Sequence, residues 1–362
     1  MFVAWRDLKF AKGRFALMGT VVVLITLLVG LLSGLTAGLG RQNVSAITGL
    51  PADRIAFAAP GGGQDLSYAN SAVSETQWQR WAATAGVTGA EPLGITTTKA
   101  GAGDRSTGVS VFGVLPGSAL APDSGELDER SVVLSTTAAE ELGVRPGDSL
   151  TLAGLQLTAA AVAGDAFFSH TPVIWTSLDV WRKTAPPNDI GDGPAATVVA
   201  LSTTSDVDVA ATDQVLGTKT VSTDDSLSAI GSYTSENGSL QLMRGFLFAI
   251  SALVIGAFFT VWTIQRSGDI AVLKALGATT TGLLKDALGQ AVVLLVGGTL
   301  AGTGLAAALG AVVAGSAVPF VLTPATVFGP AAVMVLLGAL GAALSVRRIT
   351  SVDPLTALGS AR

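Results

Sequence analysis

Four side chains with coordinating or charged heads crowd one junction between polar and apolar sequence: Tyr233, Glu236, Met243 and Arg244. Glu236 and Met243 are seven residues apart, so a continuous helix would put both on one face. Carboxylate, thioether and phenol can each approach a metal ion, and a guanidinium pairs with an anion. The same residues also have plainer uses. Tyr and Arg anchor chains at a membrane boundary, Met packs, and Glu236-Asn237-Gly238 could form a turn. The wider inventory is thin, with one His, four Met, two Tyr and no Cys. That count excludes clustered His/Cys metal sites, thiolate chemistry and disulfides. His170 ends Phe167-Phe168-Ser169-His170, and no G-x-S-x-G surrounds any serine, so a Ser–His hydrolase is not supported. A lone His beside two aromatics reads as a turn or core-edge residue. Asp123, Glu126, Asp128 and Glu129 read as a solvated acidic loop.

These residues must be positioned by elements that the apolar runs define. Phe15 to Gly40 and Gly245 to Gln265 are uncharged, and Ala287 to Val346 runs 60 residues without a charge. About 20 apolar residues cross a bilayer, so the last run is long enough for two crossings, broken near its middle by Pro319, Pro324 and Pro330. The predicted fold is a membrane α-helical protein of four transmembrane helices, with a large extracytoplasmic α/β (α+β) domain inserted between the first and second. The expected boundaries are a cytoplasmic start at 1–14, spans at 15–40, 241–265, 287–315 and 326–346, and the inserted domain at 41–240. A cytoplasmic segment at 266–286, an external loop at 316–325 and a tail at 347–362 complete the plan. Arg6, Lys9, Lys12 and Arg14 precede the first span, Arg266, Lys274 and Lys285 lie between the second and third, and Arg347 and Arg348 follow the fourth. The positive-inside rule therefore puts both termini in the cytoplasm of a multi-pass cell-membrane protein. The apolar run is longer than the core of a signal peptide, so no cleavage is expected.

Residues 40–240 hold 10 Lys+Arg against 22 Asp+Glu, a net of −12, within a chain of net −5. An acidic exterior repels anions arriving from water, a penalty that a membrane-borne ligand escapes. Within this region Val132–Leu134 reads as a strand, Thr137 with Glu140 as a capping box, and Gly143 as the helix stop. Pro146-Gly147-Asp148 reads as a turn, followed by short strands through Leu150–Leu157 and Ala159–Val162. Pro172–Trp175 is a further strand, Leu178–Lys183 a helix and Thr197–Leu201 the last strand.

Residues 266–286 carry Ile270, Leu273 and Leu276 at three-residue spacing, an apolar stripe on a short helix. Asp269 and Lys274 suit the two ends of its dipole, Gly277 ends it, and Thr279 to Thr281 can cap the next helix. Such a helix could dock on a soluble partner. The string Arg266-x-x-Asp269-Ile-Ala-Val-Leu-Lys-Ala-Leu-Gly-Ala278 resembles the signature of the FtsX/MacB-type permeases of ATP-binding-cassette transporters. Arg347-Arg-Ile-x-x-x-Asp353-Pro-Leu-x-Ala-Leu358 resembles their closing motif. The family plan, one span, a domain and three spans, covers the whole chain.

The resemblance implies a homodimer in membrane lipid carrying two copies of a separate ATPase, which contact Asp269, Ile270, Leu273, Lys274 and Leu276. No G-x-x-x-x-G-K-[ST] occurs here, so the permease is not itself an enzyme; ATP and magnesium belong to the partner, and no intrinsic cofactor or nucleic acid is expected. Within the family the opening Met1 to Phe15 is similar to the haem-efflux permeases. That likeness implies haem, or a similar amphipathic molecule, as cargo squeezed from the outer leaflet. Glu236 or Met243 would meet the iron, Tyr233 would line the slot, and Arg41 or Arg244 would face the propionates. The alternatives are an FtsX-like transmitter that activates an extracellular cell-wall hydrolase, and export of lipoproteins or peptides in the manner of MacB or LolC/E.

Overall fold

The computed structural model describes residues 12–185, 195–265, 268, 272, 276–313 and 318–350. The chain divides into a helical unit, residues 1–38 with 239–362, and an inserted domain, residues 39–238.

Among the described residues, four helices are long and apolar enough to cross a membrane: Ala16–Thr48, Gly231–Gln265, Thr281–Val313 and Pro324–Leu344. They belong to α1 (Lys12–Thr48), α7 (Gly231–Gln265), α8 (Thr280–Val313) and α9 (Pro324–Thr350). The expected span ends differ from the helix ends. α1 runs past residue 40 to Thr48 and α7 begins at Gly231, so Glu236-Asn237-Gly238 is helix rather than a turn. Of the three prolines, Pro324 opens α9, where a missing N–H costs nothing, and Pro330 is carried inside it. Thr279 caps α8 as expected, its hydroxyl accepting from Gly282 N at 3.2 Å.

Lipid offers no hydrophobic drive between helices, so close backbone approach has to supply the packing. Gly298 and Gly302 on α8 lie against Val22, Val23 and Thr26 of α1; a β-carbon at Gly302 would come within 2.6 Å of the Val23 carbonyl. Gly30 lies against Ala306, where a β-carbon would stand 2.8 Å from the alanine methyl. The loop before α9 then seats the Phe320 ring against Gly34 and Gly310, and the Pro319 carbonyl against Gly38. Val321 N donates to the Gly34 carbonyl at 3.1 Å. Met18, Val22, Ile255, Phe259, Trp262, Leu295 and Met334 fill the apolar centre of this unit.

In the inserted domain one long strand organises everything. β2 (Val87–Ala102) pairs along its first half with β9 (Val198–Thr203), which pairs with β1 (Arg54–Ala58), which pairs with β10 (Thr218–Ser222), all antiparallel. Along its second half β2 pairs with β3 (Arg105–Val114). From β3 the order continues through β8 (Thr171–Ser177), β4 (Ser131–Leu134), β6 (Leu155–Val162) and β5 (Ser149–Leu152). Ala100 and Gly101 of β2 then pair with β5, closing a six-stranded ring. The ring is filled by Val109, Val111, Val132, Leu134, Leu150, Leu152 and Ile174, with Leu142 from α3 (Thr136–Leu142) and Trp181 from α4 (Leu178–Thr184). Gly94 and Gly113 are cross-strand partners, and the Trp181 indole lies on both, in a slot that any β-carbon would close. Trp81 of α2 (Glu75–Ala82) anchors a second cluster on the open sheet, with Leu216 of α5 (Val209–Leu216).

Two local expectations need correction. The cap of α3 is Ser135, whose hydroxyl accepts from Ala138 N, rather than Thr137 with Glu140; Thr137 instead donates to Asp165 at 2.8 Å. Gly143 ends that helix in the left-handed region as expected, at φ 68°. Thr197–Leu201 is not the last strand either, because β10 follows it and forms the sheet edge.

Candidate functional site

Within the inserted domain, a polar cluster joins the end of α1, the start of α7 and a hairpin tip between them. The tip connects β7 (Phe167–Phe168) to β8, with Phe167 opposite Pro172 and Phe168 opposite Thr171. Two residues, Ser169 and His170, make the turn, at φ 50° and 65°. That tight hairpin geometry usually takes Asn-Gly, because both central residues are left-handed. Non-glycine residues held there cost on the order of 1–3 kcal/mol each and persist only where the surroundings over-determine them.

The surroundings here do so. Phe167 and Phe168 are buried, the latter edge-on to Tyr68 and Phe112 with ring centroids 5.4 and 5.7 Å away. Ser169 N donates to the Asn43 carbonyl at 2.9 Å and His170 N to the Gln42 carbonyl at 3.0 Å. The Ser169 and Ser232 hydroxyls are 2.9 Å apart, and Ser232 donates to Asn43 Oδ1 at 2.8 Å. That bond orients the Asn43 amide so that Nδ2 donates to Glu236 Oε2 at 3.4 Å. His170 Nε2 lies 2.8 Å from the same Oε2 and 3.2 Å from Asn43 Nδ2; in the tautomer with the proton on Nε2, it donates to the carboxylate. Both side chains keep partial access, His170 at 28% and Glu236 at 43% exposed. Asn43, in contrast, is buried.

The other expected site residues are placed as follows. Tyr233 is half-buried against the cluster that includes Ile47, Leu50 and Phe168. Arg41 pairs with Asp165 at 3.6 Å, so that guanidinium already has a carboxylate before any propionate arrives. In the helical unit, Met243 is exposed. Among the described residues, Arg244 Nε is buried without a hydrogen-bond partner. Of the stripe expected to meet an ATPase, Leu276 is 79% exposed. Asp269, Ile270, Leu273 and Lys274 lie outside the described residues, as do the opening Met1–Ala11 and the closing Asp353–Leu358.

Nothing in the sequence marks Asn43, Ser169 or Ser232 as functional, and a lone His170 beside two aromatics reads as a turn or core-edge residue. The available signal was weak: one amide near the end of an apolar helix, and a Phe-Phe-Ser-His-Thr-Pro string short enough for a hairpin. The acidic run behaves as a solvated loop. Asp123 precedes a short turn, and a hydrogen bond from Arg130 N, aided by Ser131, holds the Asp128 carboxyl below the usual range.

A family profile for the MacB-like periplasmic core domain matches residues 15–219, and one for the FtsX-like permease C-terminal domain matches residues 242–354. The chain belongs to the MacB/FtsX family of ABC transporter permeases, and is a multi-pass membrane protein with a MacB-like α/β domain between its first and second spans. Among particular relatives, it is 25% identical over 366 residues to a Staphylococcus haemolyticus protein named "Putative hemin transport system permease protein HrtB". That match covers 99% of each chain. It is 34% identical over 126 residues to the pyoverdine export ATP-binding/permease protein PvdT of Pseudomonas syringae, covering 34% of this chain and 19% of that one. The periplasmic region of MacB from Actinobacillus actinomycetemcomitans aligns at TM-score 0.35 and 12% identity, over 49% of this chain and 92% of that structure.

Proposed function

We propose that this chain is the permease subunit of an efflux pump for haem or a similar amphipathic molecule, driven by a separate ATPase. The observation that carries the reading is the end-to-end likeness to a permease named for hemin transport, 99% of either chain. The sequence contains no P-loop, so ATP and magnesium are assigned to a partner subunit. The working unit is a homodimer with two such partners, both termini cytoplasmic and the inserted domain outside. Val272 and Leu276, both exposed and four residues apart, support a docking helix at the cytoplasmic end.

The cargo enters sideways from the outer leaflet, which avoids the acidic exterior. Glu236 is the first candidate for the iron and Met243 the second, with Tyr233 lining the slot. Arg244, whose Nε has no hydrogen-bond partner among the described residues, is favoured as the propionate partner over Arg41, which must first leave Asp165. Closure of the ATPase pair moves α1 and α7 and expels the cargo.

Haemin titrated into the purified full-length dimer should give a saturable visible spectrum. Glu236→Ala or Met243→Ala should weaken it, while the ATPase activity of the complex with its partner subunit, measured without haem, stays intact. A wild-type protein with no saturable spectrum would remove the named cargo; both variants matching wild type would remove this site alone.

A further inference from the structure

The hydrogen bonds to Glu236 are one-sided. His170 Nε2 and Asn43 Nδ2 both reach Oε2, and Oε1 accepts no hydrogen bond among the described residues. We infer that His170 is a positioning residue for the cargo site: it fixes Glu236 through one carboxylate oxygen and leaves the other presented to an electron-poor centre. The inference rests on the reading of Glu236 as a ligand to cargo.

A donor on the non-ligating oxygen stops the carboxylate side chain from rotating through its many rotamers. The donor itself is held in place unusually firmly for a surface turn. Its backbone is tied to the Gln42 carbonyl and its neighbour to the Asn43 carbonyl, in a left-handed conformation that neither Ser169 nor His170 would adopt alone. Ser232, one turn before Glu236 on the same helix, completes the ring by orienting Asn43. The hairpin of the inserted domain thus reaches the carboxylate that the helix supplies. The chemical class recognised is a carboxylate-seeking metal centre, a ferric porphyrin above all.

Outer partners of metal ligands are worth about 10–100-fold in affinity. His170→Ala should therefore weaken haemin binding by about that factor and shift the absorption band. His170→Gln, which restores an N–H at similar reach, should recover most of both. A structural control is available because the chain has no native cysteine. The Ser169 and Ser232 hydroxyls are 2.9 Å apart, so a Ser169→Cys/Ser232→Cys pair should form a disulfide whenever the tip is seated. Equal cross-linking with and without His170→Ala, together with weakened binding, assigns the loss to the missing donor. Weakened binding with cross-linking also lost would mean that His170 merely seats the tip, and would overturn the inference. So would His170→Ala binding as wild type while Glu236→Ala fails. An imidazole-ligated spectrum that disappears in His170→Ala and does not return in His170→Gln would make His170 the iron ligand itself, again against the inference. If Glu236→Ala binds haemin normally, the reading of Glu236 as a ligand fails first, and the result is distinguishable from all of these.

Discussion

The inserted domain and the helical unit solve one packing problem with opposite residues. In the inserted domain, large side chains create the contacts: Trp81, Phe57, Phe112, Ile55 and Leu93 are all but inaccessible. Removal of apolar surface from water rewards such burial at about 25 cal/mol per Å². In the helical unit, glycines at 30, 34 and 38 and at 298, 302 and 310 create the contacts by what they lack. There the neighbouring lipid is as apolar as any side chain, so only shape and close backbone approach distinguish one helix arrangement from another. The difference teaches where each part should be fragile: to truncation in the first, to enlargement in the second.

Truncation can be tried first on the largest anchor. Trp181→Ala should cost about 3–5 kcal/mol, because the slot over Gly94 and Gly113 is too rigid to collapse. Hydrogen exchange on the full chain should show amides of β2 and β3 losing protection while α8 is unchanged. Enlargement comes next. Gly302→Val should cost about 1–3 kcal/mol by forcing α8 away from α1, with the loss confined to the helices. If Gly302→Val were harmless and a neighbouring leucine-to-alanine change severe, the contrast between the two regions would be broken.

A smaller effect sharpens the picture inside the inserted domain. Ser135→Ala should cost about 1 kcal/mol, the usual value of a helix cap, while Thr137→Ala should cost less. The smallest effect is tied to pH. Burial raises the Tyr68 hydroxyl well above the usual phenol range, with its bond to Ser226, at 2.9 Å, opposing. Unfolding releases a phenol that ionises near pH 10, so this contribution to stability is complete below that pH and fades as pH rises above it. Tyr68→Phe should therefore be less stable than wild type at pH 7, by about 1 kcal/mol for the lost hydrogen bond. The gap should narrow above pH 10, as read from denaturant midpoints.

Much of this architecture was legible in the residues. Long uncharged runs announce membrane helices because lipid tolerates nothing else, and Gly143 and Thr279 declare their helix ends through local chemistry. What stayed hidden was non-local. β2 holds three glycines and Pro92, so it does not read as a strand until Gly94 is seen to admit Trp181. The site divides the same way. Glu236 was visible as a lone carboxylate near an apolar run, but its contact with His170 spans 66 residues and that with Asn43 spans 193. No periodicity encodes such pairings; they follow from a hairpin whose backbone hydrogen bonds end on the carbonyls of α1.

Under the proposed function, ATP hydrolysis by a partner expels haem through this permease. The direct measurement uses proteoliposomes holding the full chain and its ATPase, loaded with haemin, with apomyoglobin outside as acceptor. The account predicts that ATP accelerates haem transfer to apomyoglobin, and that Glu236→Ala slows transfer more than hydrolysis. Brisk ATP hydrolysis that depends on the permease but moves no haem would contradict it, and would leave a transmitter of force in place of an exporter.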